Sequence, residues 1–148
     1  MTLRLIKDNI LLLATYNSTA GTYMAERGVV NFGTKELDLF NNVTVGAGWN
    51  FLATAPGDYI VRGIVGLNSQ SWVTTVILLI SLRKGGVSQG NIGITQVGAS
   101  YTGKLSASFN GIITLAAGEY FDIYEDSTGI NASLDSTAGI NRISVYRA

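Results

Sequence analysis

The 148 residues carry ten acidic and ten basic side chains, for a formal net charge of zero, and 47% are hydrophobic against 14% charged. That balance predicts a packed core, and it speaks against a generic binder of nucleic acid or anionic membrane, both of which need concentrated positive charge. Histidine and cysteine are absent, which removes disulfides, thiolate and imidazole metal sites, a cysteine nucleophile and any serine–histidine triad.

The opening MTLRLIKDNILLLATYNSTAG imitates a signal peptide, but its apolar core, residues 10–14, is short and follows Asp8-Asn9. It is read as not secretory, with the chain made in a cytoplasm. Residues 1–25 then carry two readings. They are a first strand followed by a polar linker, ATYNSTAGTY, or an arm that docks on a neighbouring surface. Residues 26–148 are expected to form one domain.

Within that domain the dominant period is two. ELDLFNNVTV places Leu37, Leu39, Val43 and Val45 together, and KLSASFNGIITL places Leu105, Ala107, Phe109, Ile113 and Leu115 on one face. In EYFDIYED, Phe121 and Ile123 oppose Tyr120, Asp122 and Tyr124; in INRISVYRA, Ile143 and Val145 oppose Arg142, Ser144 and Tyr146. Such alternation marks antiparallel strands with one buried face. Gly-rich breaks (GAGW, APGD, RKGG, AAGE, STAGIN) separate the runs, and no segment has a sustained 3.6-residue period with caps. An all-β antiparallel sandwich of about eight to ten strands is therefore predicted.

One pattern is written twice. Ala-Pro-Gly-Asp-Tyr at 55–59 and Ala-Ala-Gly-Glu-Tyr at 116–120 each sit between apolar runs. A tight turn suits the glycine, and a carboxylate at a strand start stays solvated, so both read as structural corners.

The stretch WVTTVILLISL, residues 72–82, is apolar on both faces: Trp72, Val76, Leu78, Ile80 and Leu82 on one, Val73, Ile77 and Leu79 on the other. A sandwich strand needs one apolar face, so the second calls for a cover, either another subunit or a loop from residues 1–25. Tyr120, Tyr124 and Tyr146 on outward faces suit a partner surface. The densest acidic group, Asp122, Glu125 and Asp126, reads as a solvated strand end, because Asp122 and Glu125 point to opposite faces and no calcium-loop pattern follows. Arg83-Lys84 before Gly85-Gly86 reads as a hairpin tip.

From Glu26 onward the order of segments resembles the C1q/tumour-necrosis-factor-like jelly roll. WNFLATAPGDYIVRGIV precedes an apolar strand ending in a basic-Gly hairpin, VILLISLRKGG; then follow the corner LAAGEYFDIYED and a closing strand, STAGINRISVYRA, where Ala-Gly-Ile replaces the family's Phe-Ser-Gly. The resemblance implies a ten-stranded jelly roll assembled as a homotrimer, with Val73, Ile77, Leu79, Tyr120, Tyr124 and Tyr146 at the interface. A short, neutral chain of this kind also resembles small bacteriophage virion proteins, above all capsid decoration (cement) proteins. That likeness implies a non-enzymatic protein without cofactor or metal, on the capsid surface of a virion, whose partner is the major capsid protein of the shell. Its shell contacts would be Leu3, Arg4, Leu5, Lys7, Ile10 and Leu12. The alternative is a receptor- or glycan-binding head of a tail fibre or baseplate, using Trp49, Tyr101 or Tyr124.

Overall fold

The computed structural model describes residues 10–18, 23–24, 27–46, 48–130, 132–135, 137 and 139–148. Among them every regular element is a strand: β1 (Leu11–Asn17), β2 (Tyr23–Met24), β3 (Gly28–Val29), β4 (Thr34–Asp38), β5 (Val43–Thr44), β6 (Asn50–Leu52), β7 (Gly57–Trp72), β8 (Ile77–Lys84), β9 (Val87–Gln96), β10 (Tyr101–Leu115), β11 (Tyr120–Glu125), β12 (Ala132–Ser133) and β13 (Arg142–Arg147). Two antiparallel sheets form the body. Sheet I runs β10-β7-β13-β1-β4; sheet II runs β5-β6-β11-β8-β9, with β3 beside β11. The short pair β2–β12 stands apart. The expected all-β antiparallel jelly roll is the observed fold, with five strands in sheet I and six in sheet II.

The alternation read from sequence is the alternation of burial. Along β10 the residues Leu105, Ala107, Phe109, Ile113 and Leu115 are buried while Ser106, Ser108, Asn110 and Thr114 are exposed. Side chains from the two inner faces interdigitate, which is how a sandwich removes apolar area from water. Phe51 of β6 stacks on Phe121 of β11 with centroids 5.3 Å apart, and Trp49 meets Phe32 edge-on at 5.5 Å.

The repeated corner has a topological cause. The first carries the chain from β6 in sheet II to β7 in sheet I; the second carries it from β10 in sheet I to β11 in sheet II. Because β7 pairs β10 and β6 pairs β11, the two crossings lie side by side. Ala53 N–H donates to the Glu119 carbonyl at 2.9 Å, and Gly118 N–H donates to the Ala53 carbonyl at 2.8 Å. Gly118 takes φ of 86°, a left-handed turn that a side chain disfavours. The two tyrosines differ in pleat: Tyr59 shares the buried face of β7 with Val61 and Val65, while Tyr120 faces out beside the buried Phe121 of β11.

Three expectations about elements are corrected. Residues 72–82 are not one strand: Trp72 ends β7, and a turn closed by Val76 N–H to the Val73 carbonyl (3.1 Å) precedes β8. Residues 37–45 are likewise two short strands, and Leu39 and Val45 lie exposed outside them. Within residues 1–25, Leu11–Asn17 is a strand of sheet I between β13 and β4, burying Leu13, Ala14 and Tyr16. Of the two readings of this segment it follows the first, a strand, but the strand also takes in residues 14–17, which the sequence reading gave to the linker.

Candidate interaction surface

Each sheet buries one face, so what the chain offers to partners is decided by the two outer faces. On sheet I the register draws one apolar row across four strands: Ile112 of β10 opposes Ile60 of β7, Ile60 opposes Tyr146 of β13, and Tyr146 opposes Leu12 of β1. Ile112 is 69% exposed, and the other three are half-buried. Ile10, Ile60, Arg62 and Tyr146 line a shallow depression of about 270 Å³ beside this row. The Arg62 guanidinium lies over the Tyr146 ring, 5.9 Å from its centroid. On one side of the row along β7 stands Asp58, hydrogen-bonded by the Thr114 hydroxyl at 2.6 Å.

The outer face of sheet II is more polar at its centre. Arg83 of β8 and Asp122 of β11 are register partners and form a bidentate ion pair, both hydrogen bonds 2.7 Å long. Tyr124 covers the guanidinium, with 4.0 Å from Cζ to ring centroid. The hydrogen bond to Asp122 raises the Arg83 pKa further above its ordinary value, against the opposing effect of burial. Around this polar core stand half-buried Ile77 and Leu79, exposed Leu52 and Tyr120, and Ile94, which is 63% exposed.

The six residues expected at a trimer interface thus do not share one surface. Ile77, Leu79, Tyr120 and Tyr124 lie on the outer face of sheet II, Val73 sits exposed in the β7–β8 turn, and Tyr146 belongs to sheet I on the other side of the sandwich. Of the expected shell contacts, Ile10 and Leu12 join Tyr146 on sheet I; Leu3, Arg4, Leu5 and Lys7 lie outside the described residues. Ile60 and Ile112 were missed. Their signal was present in the sequence as apolar residues at positions where the alternation demands polar ones, Ile112 following Ser106, Ser108 and Asn110.

The acidic group is not a solvated strand end. Asp122 and Glu125 do point to opposite faces, yet both are buried. Glu125 faces inward, its Oε2 accepting the Arg27 N–H at 3.0 Å; burial pushes its pKa up, against the donors of Ser127 and Arg27. Asp126 pairs with Arg27 at the surface, 3.3 Å apart. At the second corner Glu119 accepts from Lys84 and the Ala116 N–H, both at 2.7 Å, and these donors lower its pKa. The hairpin reading of Arg83-Lys84 holds, but both cations are engaged within the chain. Trp49, offered as a glycan-stacking aromatic, is fully buried against Phe32 and Phe121. Tyr101 is exposed, at 41%.

No protein-family model and no curated protein matches the chain. Solved structures do. Murine APRIL at pH 8.5 superposes with a TM-score of 0.63 at 13% identity, covering 93% of this chain and 98% of that one. The fold is a TNF/C1q-like jelly roll. Eiger, a TNF from S. frugiperda, gives a TM-score of 0.63 at 10% identity over 94% of this chain and 92% of its own. The globular domain of zebrafish complement 1qA gives 0.54 at 17% identity over 91% of each.

Proposed function

We propose that this jelly roll is a non-enzymatic structural domain that assembles as a homotrimer through the outer face of sheet I and decorates an assembled phage shell. The observation that carries the assembly is the row Ile112–Ile60–Tyr146–Leu12, apolar side chains aligned by register on a face that no other element of the described residues covers. Covering such a row with further copies of the same surface removes apolar area from water, and closed symmetry limits the growth of the assembly. The side chains on sheet II, centred on the Arg83–Asp122 pair, then face outward. The decoration role rests on the likeness to small virion proteins drawn from the sequence, with Leu3, Arg4, Leu5 and Lys7 as the shell-facing residues and the major capsid protein as partner. Its mechanism is mass action: a protein that binds only the assembled shell stabilises that shell, and three linked copies add avidity.

Light scattering of the full chain at micromolar concentration tests the assembly. A mass about three times the 15.7 kDa of one chain is expected, falling to one chain in Ile112→Asp, which buries an unpaired carboxylate in the interface. A monomeric wild type sinks the assembly. The decoration role is tested by adding the protein to emptied shells and measuring their resistance to heat. The alternative, a receptor- or glycan-binding head, is carried by the exposed Tyr101 and predicts binding in the absence of any shell.

A further inference from the structure

Arg62 stands exposed on the outer face of sheet I with no carboxylate to meet it. Its guanidinium lies over the Tyr146 ring, and among the described residues it makes neither an ion pair nor a hydrogen bond. The carboxylates on the strands of sheet I are placed elsewhere. Glu36 reaches Arg142 at 3.5 Å, and Asp38 accepts from the Tyr16 hydroxyl and from the Asn42 and Val43 N–H groups. Asp58 accepts from the Thr114 hydroxyl. It shares a strand and a face with Arg62, but four residues along a strand span about 13 Å, too far for contact.

The register turns this face into rows. Asn110, Arg62, Ser144 and Thr15 form one, neutral apart from the arginine; the apolar row of Ile60 and Tyr146 is next; Asp58 and Thr114 follow. Arg62 is two residues from Ile60 on the same face, so an assembly that buries the apolar row covers Arg62 with it. In a cyclic trimer each residue and its two copies stand at one level along the axis. Wrapping the apolar row around that axis sets the strands along it and makes every row a layer. The Arg62 layer then holds three guanidinium groups and no acid. Charges taken out of water without a partner are strongly unfavourable, so the layer requires a counter-charge from outside the sheet.

We infer that the three copies of Arg62 hold a tetrahedral oxyanion on the axis of the assembly. The inference rests on the homotrimer reading and specifies its interface; the site is incomplete in a single chain. A guanidinium that turns its face to an aromatic ring keeps its in-plane N–H donors free for oxygen. A tetrahedral oxyanion presents three equivalent oxygens around the axis through its fourth, which matches three equivalent donor forks. Its multiple negative charge offsets theirs. The anion therefore couples assembly to the supply of a phosphate-like group, and the apolar row seals it from water on one side.

Light scattering of the full chain across a dilution series tests it, in inorganic phosphate and in chloride at equal ionic strength. For a site of about millimolar affinity, about 10 mM phosphate should lower the concentration at which half the chains are assembled by about threefold. Arg62→Met should remove that dependence and, in chloride, assemble at lower concentration than wild type, because the like charges are gone. Arg62→Gln serves as a second variant and should also lose the phosphate effect. A trimer indifferent to phosphate overturns the anion site and leaves the homotrimer standing. A phosphate effect that persists in Arg62→Met also overturns it, since the ion then acts elsewhere or through the solvent. Assembly weakened by Asp58→Asn and unmoved by phosphate would make the neighbouring copy's carboxylate the counter-charge, and overturns it too. A wild type that stays monomeric in both salts removes the homotrimer and the anion site together.

Discussion

Arg83 and Asp122, directly opposite on β8 and β11, are joined by two hydrogen bonds of 2.7 Å on an outer face where Asp122 is nonetheless buried. The geometry is the fork-to-fork pairing that makes arginine and carboxylate a strong couple, and the ring of Tyr124 keeps water from the guanidinium. Removing one partner leaves the other desolvated and alone. Asp122→Asn and Arg83→Met are each expected to destabilise the fold by about 2 kcal/mol. The double variant should recover part of that loss. Denaturant midpoints across the four proteins measure the coupling, and strict additivity would show that the pair contributes nothing.

Gly63 is where β7 passes closest to its neighbours. A Cβ there would lie 2.2 Å from the Arg142 carbonyl oxygen and 2.3 Å from Phe109 Cζ. The ring could shift but the carbonyl belongs to a paired strand, so Gly63→Ala is expected to cost about 3 kcal/mol as an overpacked core. Gly98→Ala, where a Cβ meets nothing within 4 Å, serves as the control and should leave the thermal midpoint unchanged.

Two buried carboxylates should tilt stability with pH in opposite senses. The Lys104 ammonium, 2.6 Å away, and the donors of Thr137 hold Asp135 down at about 2, against the effect of burial and below its ordinary 3.8. A depressed folded pKa means that the unfolded chain binds more protons, so the Asp135 contribution is full above about pH 4 and is lost as pH falls toward 2. Asp135→Asn should flatten the acid limb of the stability profile.

Glu125 runs the other way. Burial, with a smaller push from Asp126, raises its pKa above 4.5 despite the donors of Ser127 and Arg27. Its contribution is present below pH 4.5 and is lost as pH rises through the folded value. The midpoint of Glu125→Gln minus that of wild type should therefore grow as pH rises from 4 toward neutrality. A difference that is flat with pH would mean that the carboxyl stays solvated in solution.

The start of β1 sets the limit of tolerated truncation. A chain beginning at residue 10 retains every strand of sheet I and should keep the strand signature and melting cooperativity of the full protein. A chain beginning at residue 18 lacks β1, exposes the edges of β13 and β4, and removes Leu13, Ala14 and Tyr16 from the core. It is expected to lose cooperative unfolding altogether. Circular dichroism during heating distinguishes the two.

Period-two alternation made the strands, and the parity of their buried residues, readable from the sequence, because which side of a pleat a residue occupies depends only on its neighbours along the chain. Leu105 through Leu115 in β10, Phe121 and Ile123 in β11, and Ile143 and Val145 in β13 all face inward for that local reason. The corners at Gly57 and Gly118 were legible in the same way. Which strand lies beside which is not local. Only the sheet order brought Ile112, Ile60, Tyr146 and Leu12 into one row, placed Tyr146 on the opposite side of the sandwich from Tyr120 and Tyr124, and set Arg83 against Asp122. The same long-range packing put Trp49 in the core and made Leu11–Asn17 an interior strand. Burial at those positions is conferred by residues far away in the chain, so no window of sequence around them could contain it.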